Sequence, residues 1–321
     1  MQYDVFKSVR ATEFMTIVLV NLPSFIPKYP HTKIPVFLFN SYCVNFDFFF
    51  MHKMLLKMYA STHFACVDDG IGKFDRSMLC QQDLMELFIF GLNEPEKICG
   101  NRDDPDDVCA WKGITCNDDG EVEEFRWVFK QENGTGTVGF EFLPWSIKIV
   151  VMWNNALSGT IQLADLPGKM EVVDISFNNL IGCLDLDKLP ATVRTLSLSQ
   201  NKFTGDISLE NLPKCLEYLS LVDNQLSGTI CLTSLPTAFQ SLHLHKNNFE
   251  GSLNFTQLPN SIRHIILAEN HFSGTVNLGN LPESMRVLDI RKNAISGAVR
   301  VPHGIDIRLD GNDEVNVERI E

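Results

Sequence analysis

The chain has 321 residues, 45% of them hydrophobic, and a formal net charge of −13. That acidic balance excludes the polyanion-binding classes: neither nucleic acid nor an anionic membrane surface is an expected partner. The length by itself would allow two domains.

Residues 1–74 are rich in Phe and Met and are punctuated by Pro23, Pro27, Pro30 and Pro35. No stretch approaches the roughly 18 uninterrupted apolar residues of a membrane span, so no transmembrane segment is expected. Met51 to Val67 has a basic start, an apolar middle and small residues before Cys66, interrupted by Lys57 and His63. Two readings of this leader stay open: a signal peptide starting at Met51 or Met54, or a disordered segment without function.

Residues 75–142 read as an N-terminal cap. Arg76 to Leu92 carries Met78, Leu79, Leu84, Leu87 and Phe88 at helical spacing. Residues 94–124 hold eleven acids against three bases. The run Asp103-Asp104-Pro105-Asp106-Asp107 lacks the ligand spacing of a calcium loop and reads as a solvated surface. Cys109-Ala-Trp111-Lys-Gly113-Ile-Thr-Cys116 follows. Counting 23 residues back from Pro144 then gives a degenerate coil, with Trp127 and Phe129 as its inward pair and Gly136, Val138 and Phe140 beyond them. In that count Glu132 occupies the position that later holds asparagine.

Residues 143–303 contain seven copies of a 23-residue unit. A Leu-Pro pair recurs at Pro144, Pro167, Pro190, Pro213, Pro236, Pro259 and Pro282. Eleven residues after each proline stands Asn155, Asn178, Asn201, Asn224, Asn247, Asn270 or Asn293. Glycine follows four residues later in every copy, from Gly159 to Gly297. In the copy that starts at Leu189, alternation around Leu196 and Leu198 predicts a short strand with both leucines inward. The asparagines form a structural column, because a side-chain amide can satisfy backbone groups left unpaired where each coil turns. The stretch after each glycine, such as Thr229 to Leu232, alternates again and predicts a short second strand on the convex side. One copy cannot bury its own apolar face, so stacked copies must share a core.

Residues 304–321 hold a last shortened strand, Ile307-x-Leu309-x-x-Asn312, and an acidic tail with Asp310, Asp313, Glu314, Glu318 and Glu321. Charge there would discourage edge-to-edge pairing.

The framework L-x-x-L-x-L-x-x-N resembles the consensus of leucine-rich repeat proteins. A short helix, then C-x-W-x-G-I-x-C, then repeats is similar to the N-terminal cap of plant-type extracellular members, receptor ectodomains among them, and of protist surface proteins. The resemblance covers about residues 75–301. The period of 23 departs from the usual 24 of the plant proteins, and the proline sits elsewhere in the coil.

The resemblance implies an α/β-class, right-handed, mostly-β solenoid. It would have a concave parallel sheet of about eight to nine strands, short second strands on the convex side and a short cap helix. It also implies a Cys109–Cys116 disulfide with Trp111 as its packing partner, and an oxidising compartment. Extracellular or cell-surface localisation follows, with a cytoplasmic protein as the alternative. Cys80 and Cys99 flank the cap as a candidate second bridge, and Cys183, Cys215 and Cys231 are expected as buried thiols. Asn133 and Asn254 begin glycosylation sequons.

No catalytic, zinc, phosphate-binding or cofactor fingerprint is present, so no enzyme activity, metal or cofactor is expected. The concave sheet is the natural binding surface. Its candidate partner-binding residues are Trp153, Asp174, Tyr218, His243, His245, His264, Asp289 and Arg291. A flat, mixed face suits a protein partner or a glycan better than a small molecule. The expected function is non-enzymatic recognition through that face. The alternatives are a structural or adhesive coat protein without a dedicated ligand, and an intracellular leucine-rich repeat regulator.

Overall fold

A computed structural model describes residues 79–130, 136–301, 304–312 and 314–319. The chain divides between Met51 and His52, and every described residue belongs to the second unit. The leader and Asn133 lie outside the described residues.

Among the described residues the fold is a mostly-β solenoid with two sheets, of ten and eight strands. In the first, nine run parallel: Val122–Arg126, Ile149–Val151, Val172–Asp174, Thr195–Ser197, Tyr218–Ser220, Ser241–His243, His264–Ile266, Val287–Asp289 and Asp306–Arg308. The tenth, Ile114–Cys116, pairs antiparallel with the first of these. This sheet is the concave sheet expected from the sequence. Equivalent positions stack on one another: Leu196 pairs with Leu219, Leu219 with Leu242 and Leu242 with Ile265.

The second sheet has eight strands, among them Asn179–Gly182, Lys202–Gly205, Gln225–Thr229 and Asn248–Gly251. Its position differs from expectation. The strands start before the glycine instead of after it, and most end there; Gln225–Thr229 and Ala294–Val301 run past it. The reason is a column of residues just before each asparagine that all have positive φ: Asn154, Phe177, Gln200, Asp223, Lys246, Glu269 and Lys292. This left-handed corner turns the chain so sharply that the very next residues already stack on the neighbouring coil. The stretch beyond the glycine is irregular, with short 3₁₀ turns such as Leu163–Asp165 and Leu186–Lys188.

The core lies between the sheets as columns. Leu198, Leu221, Leu244 and Leu267 are fully buried behind the first sheet. Phe203, Leu226, Phe249 and Phe272 are fully buried behind the second, and the Phe249 and Phe272 rings stack at 6.2 Å. Each such side chain contributes roughly 1.5–3 kcal/mol of burial, shared with the coils on either side.

The glycine column has two causes. Gly182, Gly205, Gly228 and Gly251 all have φ between +81° and +99°. A Cβ on Gly251 would also approach Thr229 Cγ2 to 2.8 Å. The position is left-handed and crowded at once.

The ends depart from the 23-residue period. Glu124 pairs with Ile149 and Phe125 with Val150, a spacing of 25. The first coil therefore faces its Phe125 and Trp127 inward, at 0% and 7% exposure, whereas Phe129 is 60% exposed. Lys130, not Glu132, takes the asparagine position, and its N–H donates to Asn155 Oδ1 at 2.9 Å. At the other end Val287 pairs with Asp306, a spacing of 19. Residues Glu314–Arg319 are not a free tail: they form the last strand of the second sheet, parallel to Ala294–Val301.

The cap helix spans Gln81–Phe90 and buries Leu84, Leu87 and Phe88. Cys109 and Cys116 are disulfide-bonded with Cα atoms 5.7 Å apart. Trp111 is 3% exposed and donates its Nε1–H to Asp106 O at 2.8 Å. Cys80 and Cys99 are both free, which corrects the second bridge. Cys183 and Cys215 are exposed and Cys231 is half-buried, so none of the three is the buried thiol expected. Each falls on the irregular side of the coil, outside the inward columns. No helix among the described residues is long and apolar enough to cross a membrane.

Candidate functional site on the first sheet

Outward residues of the first sheet are fixed in place by the asparagine column behind them. Asn178 Nδ2 donates to Met152 O in the preceding coil at 3.0 Å and to Ile175 O in its own coil at 2.9 Å. Its Oδ1 accepts from Leu157 N at 2.9 Å. Asn201, Asn224, Asn247, Asn270 and Asn293 repeat the donor pattern, and Asn312 ends it with Nδ2 on Ile290 O at 3.0 Å. The outward face therefore sits on a rigid backbone.

The N-terminal third of this face is aromatic. Trp153 is half-buried between two exposed rings: its centroid lies 4.1 Å from Phe129 and 6.0 Å from Phe177. Phe129 is 60% exposed and Phe177 46%. The sequence pointed to Trp153 alone. Phe177 was legible as the one aromatic among the seven residues that directly precede the asparagines of the repeat. Phe129 was hidden by the wrong register of the first coil.

The middle is small and polar. Ser176 and Ser197 hydroxyls meet at 2.8 Å, and Ser199 and Ser220 at 2.6 Å. Asp174 Oδ1 accepts the Ser176 N–H at 3.1 Å.

Next come Tyr218 and the three histidines, which the structure brings together as expected for neighbouring strands. The Tyr218 hydroxyl is 3.3 Å from His243 Nδ1, with the rings edge-to-face at 5.2 Å. Ser241 Oγ lies 3.1 Å from His264 Nδ1. Burial pushes His243 down to about 4, with His245 and His264 adding charge repulsion. Burial also lowers His245, with Lys246 adding to it, and His245 Nδ1 is buried without a partner among the described residues. Burial thus favours the neutral form of His243 and His245. Among the described residues no set of His, Cys, Asp and Glu side chains is placed to hold a metal ion.

At the C-terminal end the Asp289 side chain is only 3% exposed. It accepts from Arg291 Nε at 2.9 Å and Nη2 at 2.6 Å, and Arg308 Nη1 lies 3.8 Å away. Burial raises this carboxyl, but the hydrogen bonds from Arg291 and the charge of Arg308 outweigh it and hold it below the usual range. Asp289 thus anchors the arginines and is not itself presented to a partner. Arg291 remains half-exposed.

One edge of this sheet carries alternating charge: Glu123, Lys148, Glu171, Arg194 and Glu217. Lys148 pairs with Glu123 at 2.6 Å and Arg194 with Glu217 at 2.7 Å. Such exposed pairs add about 0–1 kcal/mol each. Equivalent positions lie side by side in a solenoid, so alternation avoids a ladder of like charges.

Asn254 is exposed on the irregular side, away from this face, and its Oδ1 accepts from Thr256 N at 3.0 Å.

No family model and no curated protein matches the chain. Solved structures do. A plant ice-binding protein aligns at TM-score 0.42 and 19% identity, covering 70% of this chain and 89% of that one. The PEPR1–AtPEP1 complex aligns at TM-score 0.49 and 18% identity, covering 75% and 42%. The Arabidopsis receptor kinase HAESA ectodomain, in complex with an IDA peptide hormone ligand, aligns at 0.41 and 22%, covering 57% and 36%. The chain spans about two fifths of the lengths of these last two chains.

Proposed function

We propose that this protein is a non-enzymatic recognition module that binds a protein partner through the outward face of its first sheet, outside the cell. The observation that carries the reading is the aromatic trio Phe129–Trp153–Phe177, with two large rings about half exposed on a rigid sheet. Water-exposed rings at one spot mark interaction surfaces, and tryptophan is enriched at binding hot spots. Three titratable groups of the face support a non-catalytic role, because they are engaged with their neighbours: Asp289 with Arg291, His243 with Tyr218 and His264 with Ser241. The Cys109–Cys116 disulfide supports an oxidising compartment.

The test is partner capture from extracellular fluid of the source organism with the natural protein and with Trp153→Ala/Phe177→Ser. A partner held by the natural protein and lost by the variant, at unchanged thermal stability, is the expected outcome. Equal capture by both would remove this face from the account. Self-association at high concentration with no partner captured would favour the coat-protein reading.

A further inference from the structure

Beside the aromatic patch lies a cavity of about 570 Å³ that neither the fold nor the aromatic rings explain. Lys97 and Lys112 from the cap wall one side; Arg126, Trp127 and Lys130 from the first coil wall the other. Among the described residues no acid lines it, although the whole chain carries a net charge of −13. Two of the three bases in residues 94–124 converge here from a segment with eleven acids.

Part of this charge is already balanced at the rim. Arg126 meets Glu124 at 2.9 Å and Lys97 meets Glu94 at 3.0 Å. Lys112 is exposed, and the Lys130 ammonium sits 5.0 Å from the centroid of the Trp127 ring. Neither has a carboxylate partner among the described residues. The ring holds Lys130 in place without neutralising it. A second, independent observation concerns Trp127 itself. It is 7% exposed, and its Nε1–H is buried with no acceptor among the described residues. A buried donor without an acceptor is costly, so native structures rarely leave one. The wall of the cavity therefore carries two cations, Lys112 and Lys130, without a carboxylate partner among the described residues, and a buried donor lies beneath it.

We infer that this cavity receives a carboxylate of an acidic peptide whose apolar side chains lie on Phe129, Trp153 and Phe177. The inference rests on the recognition reading above and names the chemistry of the partner. Phe129 and Lys130 are consecutive, so ring patch and cation pocket adjoin. A localised anion fits better than a sulfated polysaccharide, because a long polyanion would run on into the exposed acidic stretch Asp103, Asp104, Asp106 and Asp107. Apolar rings beside a charge also match an amphipathic peptide.

The experiment is calorimetric titration of the full chain with three probes: acetyl-Phe-Glu-Glu-amide, acetyl-Phe-Gln-Gln-amide and a heparin-type oligosaccharide. The acidic peptide should bind about tenfold more tightly than its neutral analogue, with the advantage shrinking as salt rises. Lys112→Glu/Lys130→Gln should erase that preference while leaving the melting temperature and the neutral peptide's affinity unchanged. Trp153→Ala should weaken both peptides and keep their ratio. Equal affinity for the two peptides, no binding of the acidic one at millimolar concentration, or tighter binding of the oligosaccharide would each overturn the inference. If both peptides bind equally but Trp153→Ala weakens them, the recognition face stands and the pocket falls. If the preference persists and Trp153→Ala has no effect, the pocket stands and the aromatic face falls.

Discussion

Asn178 Oδ1 accepts the Leu157 N–H at 2.9 Å, across the boundary between two coils. The same side chain donates to Met152 O, Ile175 O and Ser176 O. One amide therefore closes the turn of its own coil and fastens it to the one before. Asn178→Ala should cost about 2–4 kcal/mol, because several buried backbone groups lose their partners together. Urea denaturation of the purified protein measures this. A loss below about 1 kcal/mol would mean water replaces the amide and the column is dispensable.

The glycine column separates two effects. Gly251→Ala places a Cβ against Thr229 Cγ2 in a left-handed backbone, and should cost about 1–3 kcal/mol. Adding Thr229→Ser should recover the steric part and leave the backbone part. Gly168, with open space around it and no positive φ, should accept alanine within about 0.5 kcal/mol. Melting temperatures of the four proteins decide the matter.

His243 makes stability pH-dependent in a defined direction. Its folded value of about 4 lies below the ordinary 6.5, so between these the unfolded chain binds more protons than the folded one. The contribution is complete above about pH 6.5 and is lost as pH falls toward 4. The ring keeps some access to water, so the loss is about 1–2 kcal/mol, less than the full shift implies. His243→Gln should flatten the dependence of the melting temperature between pH 7 and 5. His245, also lowered, leaves a residual slope, and Asp289 acts only at lower pH; a wholly unchanged slope would show that His243 is not a source.

Reduction of Cys109–Cys116 opens a short loop that contains the buried Trp111. Chain-entropy estimates give about 2–3 kcal/mol for a loop of this size. Cys109→Ser/Cys116→Ser should lower the first unfolding transition by that amount. Because coils contact only neighbours, hydrogen exchange should rise in the cap and first coils before it rises near Asn270. A uniform rise along the chain would argue against nearest-neighbour stacking.

How much of the site was legible differs along the face. Trp153, Tyr218 and the histidines could be placed from strand alternation, since outward positions recur every second residue. Asp289 could be placed on the same face but not shown to be covered, because its burial depends on Arg291 and on Arg308, a residue of the shortened last coil. Phe129 was misplaced because a count of 23 ignores the two extra residues of the first coil. Cys183 and Cys215 read as interior residues, but they lie where the coil is irregular and no inward column continues.

The amino-acid pattern by itself determined the stacking unit, the inward leucines, the asparagine column and the glycine corner. These depend on contacts between one coil and the next, which a fixed repeat encodes directly. Only the tertiary structure decided where the second strands lie, which coil breaks register, and that Phe129, Trp153 and Phe177 meet beside a pocket formed by Lys97, Lys112, Arg126 and Lys130. Those outcomes depend on the angle of each left-handed corner and on how the cap folds back onto the first coil, where no repeat operates and residues distant in sequence are brought together in space.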